Sequence, residues 1–160
     1  MGIEFAATAA PLQPLLLNLS FAYIDGEYQG YVTTNPDTGL VEDLTGNRLN
    51  QSPRFKGNLG ASWTWSLGDA GDLTLRGEYS HSGDYFFTQF NNPSVAEDGY
   101  ELWNAFLTYA SADERWEIAA WGKNLNDEVH YVQAFNTGGL GTRAWLAAPR
   151  TYGVRIGFRY

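Results

Sequence analysis

Residues 149–160 constrain the fold more than any other part of the sequence. From Thr151 onward the chain separates completely at period two. Tyr152, Val154, Ile156, Phe158 and Tyr160 fall on one side, and Thr151, Gly153, Arg155, Gly157 and Arg159 on the other. Successive side chains of a strand point to opposite faces, so one face here is wholly apolar or aromatic while the other carries arginines and glycines. Whatever this strand joins must offer an apolar medium to the first face and a polar one to the second. A soluble sheet does so with the apolar side inward. A membrane-spanning barrel does so with the apolar side on lipid and the polar side on the lumen. The terminal aromatic and the recurrence of similar strands upstream favour the barrel.

That recurrence runs through the whole chain. Ile3 to Ala9 alternates weakly and stops at Pro11 and Pro14, a tight turn. Leu15, Leu17, Leu19, Phe21 and Tyr23 then face away from Asn18 and Ser20. Phe55, Gly57, Leu59, Ala61, Trp63 and Trp65 alternate with Lys56, Asn58, Gly60, Ser62 and Thr64. Leu73, Leu75, Gly77 and Tyr79 oppose Thr74, Arg76, Glu78 and Ser80. Trp103, Ala105, Leu107 and Tyr109 form another strand, and Trp116, Ile118 and Ala120 oppose Glu117, Ala119 and Trp121 in the next. With the terminal segment, this predicts seven antiparallel strands. Connections near 11–14, 68–72 and 111–115 are short, whereas those near 28–53, 88–100 and 126–149 are long. Strict alternation of short and long is the layout of an outer-membrane barrel, and a soluble meander has no reason to gather its long loops at one end. The stretch 33–53 is expected to be one large irregular loop, too long for a hairpin turn.

Composition narrows the class further. The 160 residues suffice for one domain. With no cysteine, disulfides and thiolate metal sites are excluded. Aromatics make up 16% of residues, dominated by tyrosine and tryptophan, which favour boundaries between apolar and wet phases. A net charge of −8 argues against nucleic acid as a partner. No run approaches the roughly 20 apolar residues of a transmembrane helix. The mean hydropathy of −0.34 does not count against a barrel, because only alternate strand residues meet lipid.

Catalytic constellations are sparse. His81-Ser82-Gly83-Asp84 gathers triad residue types, but neighbours on one strand point to opposite faces, so a structural or loop-base role is expected. His130 lies near Asp127 and Glu128; without cysteines and far from His81, it is expected to occupy a surface loop and not a metal site. Gly138-Gly139-Leu140-Gly141 lacks the lysine and helix of a phosphate loop and is expected to supply loop flexibility. Asn18-Leu19-Ser20 matches a glycosylation acceptor only formally, since it lies mid-strand. No catalytic, metal-binding or cofactor-binding residue is assigned, and ligand-contacting residues are left open. Glu4, Lys56, Arg76, Glu78, Glu117, Lys123, Arg155 and Arg159 are expected on the lumen side, mostly paired across neighbouring strands. Tyr28, Tyr31, Tyr85, Phe86, Phe87, Phe90, Tyr131, Phe135 and Trp145 are expected at the long-loop end, divided between an aromatic girdle and ligand contact.

Three stretches together resemble the C-terminal barrel of TonB-dependent outer-membrane receptors. They are residues 46–54 (GNRLNQSPR) running into Asn58-Leu59-Gly60, residues 121–128 (WGKNLNDE) followed by Tyr131, and Pro149-Arg150-Thr151-Tyr152-Gly153. The final aromatic also resembles the signal read by the outer-membrane insertion machinery, although Arg155 stands where its fuller form has glycine. The resemblance covers essentially the whole chain. It implies a 22-stranded transporter closed by an N-terminal plug. Such a transporter takes up a ferric siderophore, cobalamin or a glycan, with energy supplied through a short box that meets TonB.

No plug, TonB box or export signal is legible. The expectation is therefore an all-β, antiparallel transmembrane barrel segment of about seven strands in an up-and-down meander, roughly the last third of a receptor barrel. Residues 1–160 would form one incomplete domain whose partners are outer-membrane lipid, the rest of the barrel and its plug, and the insertion machinery, with TonB reached only through the missing N-terminal part. Expressed by itself, such a segment is expected to misassemble and to support no uptake. The alternatives are a small autonomous outer-membrane barrel with an eighth strand hidden in 15–53, and a soluble lipocalin-like binding module. An enzyme ranks last.

Overall fold

The computed structural model describes residues 1–138 and 140–160. In chain order its strands are β1 (Gly2–Leu12), β2 (Leu15–Ile24), β3 (Val32–Thr34), β4 (Val41–Asp43), β5 (Phe55–Ser66), β6 (Asp72–Ser82), β7 (Tyr85–Phe86), β8 (Ala96–Glu97), β9 (Tyr100–Ala110), β10 (Trp116–Lys123), β11 (Tyr131–Asn136), β12 (Thr142–Leu146) and β13 (Thr151–Phe158). Helix among the described residues is confined to two single 3₁₀ turns, Gly68–Ala70 and Pro93–Val95.

Seven strands form one antiparallel sheet in the order β1-β2-β5-β6-β9-β10-β13, each beside its predecessor in the meander. These are the strands that the alternation predicts. Register keeps the two faces separate across the sheet. One rung runs Asn18, Gly60, Glu78, Asn104; the adjacent rung runs Leu19, Leu59, Tyr79, Trp103. A slip of one residue at any pairing would mix the faces, so the segregation specifies the register. Small polar groups are bonded along the polar face. Thr8 Oγ1 donates to Asn18 Oδ1 at 3.1 Å, and the Thr64 and Thr74 hydroxyls lie 2.9 Å apart.

The apolar face has no second layer to cover it. Leu59, Leu75, Leu107, Ile118, Val154 and Ile156 remain exposed, Ile156 by 66%. Aromatics bracket this band. Phe5, Phe21 and Phe55 stack in a row toward the long-loop end, while Trp63 with Trp65 and Trp116 with Phe158 lie toward the short turns. From Phe55 to Trp65 the strand rises about 33 Å at about 3.3 Å per residue. At the ~40° tilt usual in membrane barrels this is roughly 25 Å along the normal, the height of a lipid-facing band. The sheet is open: β1 and β13 are its edges and do not pair with each other. Among the described residues no eighth strand joins this sheet: the segment 15–53, where one was expected under the small-barrel alternative, supplies β2 and the separate hairpin β3–β4.

Where the terminal hairpin crosses, two rings are seated on two glycines. A Cβ on Gly153 would stand 2.8 Å from Trp121 Nε1 and nearer still to the indole carbons, and one on Gly122 would stand 3.0 Å from Tyr152 Cδ1. The pairs are directly opposite in register, Trp121 with Gly153 on the polar face and Gly122 with Tyr152 on the apolar face.

The stretch 33–53 differs from the single irregular loop expected, because it holds the hairpin β3–β4; the other two long connections likewise contain short hairpins, β7–β8 and β11–β12. In the first, the Asn35 side chain accepts from Asp37 N at 2.9 Å, Asn35 N donates to Leu40 O at 2.8 Å, and Gly39 turns at φ +71°. The residues 35–39 (NPDTG) thus carry ordinary turn chemistry inside what length alone made a loop.

Candidate functional site

All the buried side chains with a packing partner outside the sheet gather at the long-loop end. Phe87, Val95 and Ala134 form a small core, with Tyr85 packed against it at 5.0 Å between ring centroids. It joins the segments 83–99 and 124–150, and Phe87 N donates to Val95 O at 3.0 Å. Burial, reinforced by the nearby Tyr100 and Glu97, pushes the Tyr85 hydroxyl up to about 12. The buried Glu97 carboxylate accepts the Tyr131 amide at 2.7 Å, which ties β8 to β11.

Arg48 fastens the segment 25–54 to the segment 83–99. Its guanidinium meets Asp84 Oδ2 at 2.6 Å and the Asp84 carbonyl at 2.8 Å. Its backbone is gripped by Asn91: Arg48 N donates to Asn91 Oδ1 at 2.7 Å, and Asn91 Nδ2 donates to Arg48 O at 2.9 Å. A carboxamide can satisfy both backbone groups of one residue, as a neighbouring strand would. The Arg48 hydrogen bond holds the Asp84 carboxyl below its ordinary value of 3.8. Nothing in the spacing of the sequence places Arg48 beside Asn91; the neighbouring Asn92 makes only a local contact, its Oδ1 accepting from Ser94 N at 3.0 Å.

Between these tied segments lies a cleft of about 410 Å³. The segment 25–54 contributes Asn35, Asp37 and Glu42, the segment 83–99 contributes Thr88 to Pro93, and β11 contributes Phe135 and Asn136. The cleft is rich in carboxamides, and two phenylalanines line it. It is the place where all three long connections converge.

The chemistry sought in the sequence is dispersed. His81 pairs in register with Glu101 on the apolar face, their side chains 3.6 Å apart, while Ser82 lies on the polar face beside Lys56 and Tyr100. Asp84 is committed to Arg48, so the four neighbouring residues form no relay. His130 is a correction: it is not on the surface but 8% exposed, its ring stacked on Tyr100 at 4.0 Å. The aromatic ring of a residue distant in sequence covers it. Among the described residues, no group of three metal-binding side chains gathers around it. Gly138 and Gly141 turn at positive φ, and Gly139 lies outside the described residues. Of the charges expected on the lumen side, Arg155 pairs with Glu117 across neighbouring strands, whereas Arg76 pairs at 2.7 Å with Glu78 on its own strand and Lys123 sits over the Trp121 ring, so cross-strand pairing is less general among the described residues than expected. The aromatics expected at the long-loop end are there, but divided differently: Phe87 is core, and Phe90 and Phe135 line the cleft.

The family model of TonB-dependent receptor-like β-barrels matches residues 1–125. The chain belongs to the TonB-dependent receptors. The chain superposes on several solved receptors. The ferric yersiniabactin uptake receptor FyuA from Yersinia pestis matches with a TM-score of 0.83 at 18% identity, over 98% of this chain and 23% of that one. The siderophore receptor PiuA from Acinetobacter baumannii matches with a TM-score of 0.78 at 17% identity, over 99% and 21%. The ferric preacinetobactin receptor BauA, also from A. baumannii, matches with a TM-score of 0.67 at 22% identity, over 98% and 21%. This TonB-dependent receptor chain thus spans between a fifth and a quarter of those structures. Receptors of this family are outer-membrane barrels and transporters, not enzymes, and the exposed band of this chain is accordingly the lipid-facing surface.

Proposed function

We propose that residues 1–160 form the C-terminal wall and part of the mouth of a TonB-dependent uptake receptor for a ferric siderophore. The observation that carries this reading is the open seven-stranded sheet, together with the likeness of 98–99% of the chain to a ferric yersiniabactin uptake receptor and to a siderophore receptor. The free edges of β1 and β13 are completed by the remaining strands of the barrel, since unpaired backbone in lipid costs several kcal/mol per group. A plug fills the lumen against the polar face, and TonB acts through that plug. The long connections face the cell exterior and the short turns the periplasm, as in other barrels of this kind.

Two measurements on the full-length receptor test the reading. Cysteines at Thr38 and Asn92 should react with an impermeant reagent on whole cells, and those at Gln13, Ala70 and Ala112 should not. In cells lacking other iron receptors, the protein should support accumulation of a ferric siderophore that stops when TonB is deleted. A correctly inserted receptor that moves no ferric siderophore refutes the substrate class. Labelling confined to the short turns reverses the topology.

A further inference from the structure

The charge of the mouth separates the classes of ferric complex. The segments 25–54, 83–99 and 124–150 carry ten carboxylates against four arginines, a net of −6 out of −8 for the chain. Three of those arginines are already spent in ion pairs: Arg48 with Asp84 at 2.6 Å, Arg54 with Asp25 at 3.3 Å and Arg150 with Asp127 at 3.4 Å. Arg143, on β12, is the one arginine of these segments outside an ion pair among the described residues, and it does not line the cleft.

The cleft itself has two carboxylates and no cation. Asp37 accepts from Gly138 N at 3.2 Å, and Glu42 accepts from Asn35 Nδ2 at 2.8 Å, so both negative charges are held by neutral donors and stay uncompensated. Around them the Gln89 side chain and the Nδ2 groups of Asn92 and Asn136 have no partner among the described residues. Phe90 and Phe135 supply flat apolar contact. Such a lining suits a ligand with amide and carbonyl groups on its periphery, short methylene spacers and no excess negative charge.

Resting on the receptor reading, we infer that this part of the mouth takes ferric chelates of zero or positive net charge, the tris-hydroxamate class, and disfavours anionic catecholate chelates. Three hydroxamates neutralise Fe³⁺, and a free ammonium on the backbone leaves one positive charge. Three catecholates leave three negative charges. At about 8 Å in a water-like dielectric, each carboxylate changes the affinity for a monovalent ligand between about two- and threefold before salt screening.

The test measures binding to the full-length receptor in outer-membrane vesicles at low and at physiological ionic strength. The probes are a linear ferric tris-hydroxamate bearing one ammonium, its neutral N-acetylated analogue and a ferric tris-catecholate. The cationic chelate should bind most tightly and the trianion least. The double variant Asp37→Asn, Glu42→Gln keeps both acceptors and should weaken the cationic chelate about fivefold at low salt, affect the neutral one little and strengthen the trianion. Gln89→Lys, which adds a cation without removing a contact, should shift the three probes the same way. Tightest binding of the tris-catecholate, or equal effects of the variants on all three probes, overturns the charge inference and leaves the receptor reading intact. Binding of none of the three by an inserted receptor overturns both.

Discussion

The membrane wall and the mouth of this receptor solve the same problem by opposite means. The wall is a single layer with no interior: Ala119 and Ser82 are among the few buried side chains that its strands contribute, and its leucines and isoleucines lie open. Lipid takes the place of a core, and hydrogen-bonded register does the specifying. The mouth instead builds a miniature globular protein, with Phe87, Val95 and Ala134 packed inside and buried polar residues such as Glu97 tied to backbone. Stability in the wall therefore depends on which face a residue occupies, and stability in the mouth on what it touches.

The largest effect should come from emptying the core of the mouth. Phe87→Ala should cost the loops about 3–5 kcal/mol. It should open the segments 83–99 and 124–150 to protease while the barrel keeps its heat-dependent mobility on gels. Loss of the barrel along with the loops would show that the two regions are one cooperative unit. Next, Leu59→Arg or Ile156→Arg should destabilise the wall by about 2–4 kcal/mol in lipid. Lys56→Leu and Arg155→Leu, on the opposite face, should cost far less in the same folding titration; equal costs would break the assignment of faces.

A smaller change sharpens the contrast within the wall itself. Gly153→Ala must displace the Trp121 ring and should cost about 1–3 kcal/mol. Gly157→Ala meets nothing closer than 3.8 Å and should be close to neutral in the same assay. The smallest effect concerns pH at the mouth. The Asp84 carboxyl lies below its ordinary 3.8, so the stability it lends is present above that value and is lost as pH falls through the lower, folded one. Protease resistance of the loops should hold from neutral pH down to about pH 4 and fall only below it, and Asp84→Asn should remove that acid step.

The wall was legible in the sequence because a one-layer sheet between lipid and water imposes period two on every strand, as at 55–65 and 152–160. The alternation of short and long connections followed from the same pattern. The mouth was less legible, since its contacts join residues far apart in the chain. Arg48 is held by Asn91 and Asp84, and His130 is covered by Tyr100. With no cysteine in the chain and the other histidine far away in sequence, His130 reads as a surface-loop residue, and only tertiary stacking buries it. The hairpin β3–β4 could have been found, because Asn35, Pro36 and Gly39 announce a turn between Val32-Thr33-Thr34 and Leu40-Val41.

The seating of Trp121 on Gly153 and of Tyr152 on Gly122 makes the last hairpin behave like a key with teeth on both sides. A slip of two residues in β13 preserves its polar and apolar faces, so lipid cannot detect the error. It would, however, bring Thr151 or Arg155 under the indole, where a Cβ has no room, and would leave Gly153 facing a residue that does not fill it. The pair of rings therefore reports register where hydrophobicity is silent. It does so on the strand whose other edge is still open, before a wrong alignment could be carried into the closure of the barrel.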